Sequence, residues 1–282
     1  MAQVKASLAD QREMVKILYY GDPGSGKTSA MASAAALGNV VYVDAESGLK
    51  RGPLARLGVA VDKIEPYNTI TFDGLESLYW EIKGRLDNDP TSVAAVIIDS
   101  VTEAQKILLE QIVSKAVTKA TARGMERDPF QIDRADWGVN TEQMRRLARR
   151  FRDLPCHIAF GALPKREVDD DGSVIYSPAL TPAFQTDLMG YVDVVIHTEI
   201  REIGGQQFYI GTTKPVGKYL GKDRFGILPS AMVNPTLNRV VAYVNGDLTQ
   251  DSDPLQKAAR DAAAQINPTA GNTGSEKGNP NA

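Results

Sequence analysis

The sequence predicts an α/β fold: a mostly parallel central sheet with helices on both faces and antiparallel hairpins added at the C-terminal side. Three observations carry this expectation. Short apolar runs alternate with stretches of helical spacing over most of the chain. One run, VAAVIIDS at 93–100, is nearly all apolar, as a strand buried on both faces must be. The glycine-rich run GDPGSGKT, Gly21 to Thr28, stands where an apolar strand hands over to an alanine-rich helix.

Each element follows in order. MVKILYY alternates and ends apolar, so it reads as the first strand, and TSAMASAAAL after the glycine run favours helix until Gly38-Asn39 stops it. VVYVDAESG from Val40 is a second strand ending in Asp44 and Glu46, and residues 61–66 are a minor strand. From Phe72, apolar residues at Leu75, Leu78, Tyr79, Ile82 and Leu86 have helical spacing, closed by Asn88-Asp89-Pro90. After VAAVIIDS a helix is expected over 102–119, then a polar, mobile segment to about 136. An amphipathic helix follows over 138–154, with Met144, Leu147, Ala148, Phe151 and Leu154 opposite Arg145, Arg146, Arg149, Arg150 and Arg152. Those arginines read as a solvated face or as a second basic patch. CHIAFGAL and YVDVVIHTEI are core strands, with hairpins turning at Asp171-Gly172 and Gly204-Gly205. Residues 1–13 are expected to be an extension, 14–250 one domain, and 251–282 a mostly disordered tail of few large apolar residues.

Composition narrows the class. A 282-residue chain that is 43% hydrophobic can bury a large core, and a net charge of −3 argues against a constitutively basic nucleic-acid coat. The single Cys156 forms no internal disulfide, which fits a reducing compartment. With no apolar leader and no run of about eighteen apolar residues, the chain is expected to be soluble and cytoplasmic, with no membrane partner. His157 and His197 lie in apolar runs without ligand spacing and read as core histidines.

The glycine run carries the chemistry. Gly21, Asp22, Pro23, Gly24, Ser25, Gly26, Lys27, Thr28 and Ser29 form a loop whose backbone N–H groups can turn onto phosphate oxygens, at the positive end of the following helix. Lys27 adds a point charge for the β and γ phosphates, and the Thr28 hydroxyl is placed to ligate Mg²⁺. ATP and Mg²⁺ are therefore the expected cofactors. Asp99, ending the VAAVII strand, is expected as a second metal ligand, although it is also placed to cap a helix, a role Ser100 or Thr102 could serve equally well. Glu46 is either a water-orienting carboxylate or an ordinary turn residue; spacing alone leaves the two even.

VYVDAESG and VIIDS resemble the RecA/KaiC/DnaB class of P-loop ATPases, in which a strand ending in an Asp-Ala-Glu-like sequence brings the catalytic glutamate. With VIIDSVTE, ADWGVNTEQM and GKDRFG, residues 14–230 resemble the phage-encoded, core-only RecA-like ATPases of single-strand annealing. The resemblance implies a RecA-like fold, makes Glu46 catalytic, and implies that Lys222 and Arg224 reach a neighbouring subunit's γ-phosphate; their alternative is a solvated basic turn. It also implies self-association into a ring or filament, single-stranded DNA as partner, and a phage or host single-strand binding protein as a further one. Candidate DNA contacts are Arg123, Arg127, Phe130 and Arg134 in one loop and Lys165 and Arg166 in another, cations with a stacking ring. One departure stands out: FGALPKRE follows the fourth core strand, where relatives carry a polar γ-phosphate sensor, and Ala162 and Leu163 cannot serve, which leaves Lys165 or Arg166. Competing readings are a helicase-like or packaging ring motor or helicase loader, a small-molecule kinase, and a nucleotide-dependent binding module with little turnover.

Overall fold

The computed structural model describes residues 13–168, 171–203 and 205–266. In chain order its strands are β1 (Lys16–Gly21), β2 (Val40–Asp44), β3 (Ile64–Tyr67), β4 (Ala95–Asp99), β5 (His157–Ala162), β6 (Pro164–Val168), β7 (Val174–Pro178), β8 (Val194–Ile203), β9 (Gln206–Thr212), β10 (Lys222–Asp223) and β11 (Ala231–Val233). The helices are α1 (Lys27–Ala32), α2 (Arg51–Arg56), α3 (Phe72–Asn88), α4 (Val101–Thr121), α5 (Arg134–Arg152), α6 (Pro182–Tyr191), α7 (Leu237–Val244) and α8 (Pro254–Ile266).

The main sheet runs β11-β9-β8-β1-β5-β4-β2-β3, with β10 paired to β8. From β3 to β8 every neighbour is parallel, and β9, β10 and β11 add antiparallel pairs, as the sequence predicts. Parallel strands buried on both faces need apolar residues at successive positions, and β1, β2, β4 and β5 supply them. Leu18, Tyr20, Val43, Ile98 and Phe160 pack with α3, α4, α5 and α6 on one face. Ile17, Tyr19, Tyr42 and Ile97 pack with α1 and α7 on the other.

Several expectations shift. Residues 61–63 form a 3-10 turn and the minor strand begins at Ile64. The amphipathic helix starts four residues early, at Arg134, because Asp133 and Asp136 form a capping box that nucleates it. The hairpin at Asp171-Gly172 is present, but β6 and β7 form a separate two-stranded sheet.

The chain beyond 250 is corrected most. Residues 254–266 are helical, and α8 packs on β11 through polar anchors that a count of apolar residues misses. Asp253, 1% exposed, pairs with Arg239 and accepts the Tyr243 hydroxyl at 2.6 Å. The Gln256 side chain accepts from Val233 N at 2.8 Å and donates to Ala231 O at 2.8 Å. The predicted extension up to residue 12 and the tail from 267 lie outside the described residues. Among the described residues no helix is long and apolar enough to cross a membrane. Cys156 is buried, its thiol pushed up to about 12 by burial, and both histidines are core residues whose ionisation burial pushes down to about 4.

Candidate functional site

The site lies where β1, β4 and β2 end on the same side of the sheet. Gly21 to Gly26 joins β1 to α1, and Gly24 and Gly26 take φ of 82° and 88°, a backbone open to glycine, which lets the loop turn tightly into the helix. Lys27 is 8% exposed, and its ammonium donates to the carbonyls of Gly21 at 2.7 Å and Asp22 at 2.9 Å. Burial lowers its proton affinity, and the charges of Asp99, Glu46 and Asp22 oppose that. On the far side of the loop the Ser25 and Thr198 hydroxyls meet at 2.7 Å.

Asp99 is 5% exposed, and its Oδ2 accepts both the Thr28 hydroxyl at 2.7 Å and the Tyr42 hydroxyl at 2.6 Å. Burial raises its pKa, with a further push from Glu46, while the two hydroxyl donors and Lys27 oppose. The capping alternative for Asp99 falls away, because Ser100 caps α4 by accepting from Glu103 N at 3.2 Å. Thr28 Oγ1 beside Asp99 is a set of oxygen donors suited to Mg²⁺, which binds through one or two protein groups together with phosphates and water.

Glu46 is delivered by a built turn. Asp44 accepts from Gly48 N at 2.9 Å and Leu49 N at 3.0 Å, and Ala45 N donates to Asp99 O at 2.7 Å. This seats the turn after β2 against the end of β4, and the Ser100 hydroxyl donates to Glu46 Oε1. Lys27, Thr28, Glu46 and Asp99 therefore stand around the same loop.

Other candidates lie elsewhere. Lys222 and Arg224 sit beside the start of β8, at the end of the sheet away from the loop: Lys222 pairs with Val195, whereas Gly21 pairs with Thr198. Lys222 is in a strand, and its ammonium caps α6, donating to Met189 O at 2.8 Å and Val192 O at 2.7 Å. Arg224, with its side chain 54% exposed, pairs with Asp193 at 2.6 Å. Of the proposed DNA contacts, Phe130 is 91% exposed, and Arg123, Arg134 and Arg166 are exposed. Arg127 is held by Asp133 and Asp136, and Lys165 by Glu167 at 2.7 Å, so these two are not free cations. The α5 arginines are likewise paired: Arg145 with Asp187, Arg146 and Arg150 with Glu76, Arg149 with Glu142 and Arg152 with Asp153. This pairing favours the solvated face over a second basic patch there.

Sequence reasoning missed Tyr42, Gly161, Thr198 and Tyr209, and the bond from Ser100 to Glu46. Gly161 had a readable signal, since a glycine inside an apolar strand marks a close approach. A Cβ there would lie 2.5 Å from Asp99 Oδ1 and 2.8 Å from Met31 Cε. Gly161→Ala is expected to destabilise the fold by about 1–3 kcal/mol through overpacking. Denaturant unfolding measures this, and an unchanged midpoint refutes the steric argument.

A family model described as an AAA domain matches residues 13–225, well over half of the chain. No curated protein matches it.

Proposed function

The chain belongs to the AAA domain family of P-loop ATPases, and from that premise we propose that it is a Mg²⁺-dependent ATPase of RecA-like type, hydrolysing ATP while assembled on single-stranded DNA in phage recombination. One observation supports the catalytic half above all: the Thr28 hydroxyl touches Asp99 at 2.7 Å while Ser100 turns Glu46 to the same place. A strand tip, a helix start and a turn after a second strand thus bring a hydroxyl, two carboxylates and a buried ammonium together around one loop.

In this reading the loop amides and Lys27 hold the phosphates, and Thr28 and Asp99 hold the metal. Bound Mg²⁺ supplies charge neutralisation on the phosphate oxygens. Glu46 orients the attacking water and accepts its proton. The triphosphate chemistry is chiefly positioning and charge stabilisation, so these residues suffice for slow turnover and a cation from a second copy accelerates it. Arg224 is the candidate for that cation, being exposed and remote from its own loop; Lys222 positions the segment through its cap on α6.

Phosphate release with and without oligonucleotide, across protein concentration, tests the proposal. Turnover per subunit is expected to rise with concentration and with single strands. Arg224→Ala is expected to lower that stimulated rate by about 10³-fold, the lower range for an arginine finger, without changing nucleotide affinity. A rate insensitive to concentration, oligonucleotide and Arg224→Ala overturns the assembly half.

A second reading, a nucleotide-dependent binding module with little turnover, draws support from Lys165. This candidate phosphate sensor is engaged by Glu167 beside the apolar Ala162 and Leu163. Tight MgATP binding without phosphate release under any of those conditions decides for it.

A further inference from the structure

We infer that the cleft between α1 and Tyr209 receives the base and ribose of the nucleotide, that the base stacks on the Tyr209 ring, and that the site accepts either purine. This rests on the reading of the loop as a triphosphate site and extends it to the part of the ligand the loop does not touch.

Thr28 faces Asp99 and β4, so the terminal phosphate and its metal belong on that side of the loop. The rest of the ligand must leave toward the opposite side, where β8 and β9 stand. There a cleft of about 270 Å³ opens against Ser29 and Ser33 of the α1 segment and is walled by Leu57, Val59, Tyr209 and Pro235. It is continuous with the loop, since Ser25 and Gly26 also line it. Tyr209 is 46% exposed although it lies in a paired strand, and its ring rests on the loop backbone: a Cβ at Gly26 would come 2.8 Å from Tyr209 Cδ1. A half-exposed aromatic ring held against a phosphate loop, facing apolar side chains, is a stacking platform for a heterocycle.

The wall explains the breadth of the specificity. Adenine and guanine differ in their hydrogen-bonding edge, so discrimination needs donors and acceptors fixed in one polarity. The backbone groups on this wall are already spent. Asn234 N donates to Tyr209 O at 2.7 Å, Thr236 N donates to Asn234 O at 2.7 Å, and Pro235 has no N–H. Pro235 O accepts the Tyr19 hydroxyl at 2.9 Å. What remains around the cleft are the Asn234 carboxamide and the hydroxyls of Thr236 and Ser29, which donate or accept by rotating. Stacking gives the affinity, and groups that can present either polarity do not reject an isostere.

Calorimetric titration of the full chain with MgATP, MgGTP and magnesium tripolyphosphate tests the assignment in wild type, Tyr209→Ala and Tyr209→Phe. Tyr209→Ala is expected to weaken both nucleotides about tenfold or more, as removal of a stacking ring does. Tyr209→Phe is expected to retain them, and tripolyphosphate is expected to bind all three proteins alike. ATP and GTP affinities are expected within about tenfold of each other in wild type. Tyr209→Trp gives an independent readout: its added emission is expected to be quenched by either nucleotide and untouched by tripolyphosphate. Tripolyphosphate binding with nucleotide affinity indifferent to Tyr209→Ala overturns the base site while leaving the loop reading intact. A preference between ATP and GTP beyond tenfold overturns the purine-tolerant assignment, and failure of tripolyphosphate and nucleotides alike overturns both readings.

Discussion

Glu46→Gln is expected to lower kcat by about two to four orders of magnitude, the usual contribution of a positioned general base, while MgATP affinity stays within a few-fold. The substitution keeps the shape of the side chain and its hydrogen bond from Ser100, and removes only the basicity and the charge. Affinity is set by the loop amides, Lys27 and the Tyr209 ring, none of which the substitution removes. The proper measurement pairs single-turnover phosphate release with equilibrium nucleotide binding on the same preparation. If kcat persists, Glu46 is a turn carboxylate and the base lies elsewhere. Loss of binding in parallel with kcat would instead assign Glu46 to holding the ligand.

Asp99→Asn is expected to separate stability from activity. Turnover should fall by roughly two to four orders of magnitude, because the metal's stabilisation of transition-state charge is worth several kcal/mol. The nucleotide-free protein should nonetheless become more stable, by about 1 kcal/mol or roughly 2–4 °C in Tm. The reason is the setting of Asp99: a buried carboxylate whose two hydrogen-bond donors, Thr28 and Tyr42, are neutral hydroxyls. A buried charge compensated only in part, by Lys27 and two neutral donors, is held there at a cost that function requires and folding does not.

The pH dependence has a definite sign. Burial raises the Asp99 pKa above the ordinary carboxylate range, so between that range and the raised value the folded chain binds more protons than the unfolded one. This group therefore makes stability fall as pH rises through that window, and Asn removes the effect. The stability gap between variant and wild type should be small near about pH 4 and grow as pH rises through that window. Melting curves at several pH values check this, and a gap independent of pH sinks the account.

The sheet and the loop were legible because their signals are local. GDPGSGKT, VVYVD and VAAVIID each carry strand character and chemistry within a few residues, and parallel pairing brings Asp44 level with Asp99. Tyr42 was hidden by its own apolarity: it reads as one more strand residue until the register sets its hydroxyl on Asp99. Thr198 and Tyr209 reach the loop from strands far along the chain, so no window of sequence contains both partners. The pairing of Arg127, Arg145, Arg146 and Arg150 was hard to read because their acidic partners, Asp136, Asp187 and Glu76, come from another turn or other helices. The region beyond 250 was misread because its attachment uses Asp253, Arg239, Tyr243 and Gln256 in place of apolar area.

That attachment bears on how the sheet ends. β11 is the outermost strand beside β9, and such a strand offers outward-facing ladder groups to any other chain that arrives. Two of them, Val233 N and Ala231 O, are bonded to the one carboxamide of Gln256. A single side chain thus impersonates a tenth strand and plugs the rim. Copies trimmed ahead of it would expose an open template, and self-adhesion of sheets at that rim would follow.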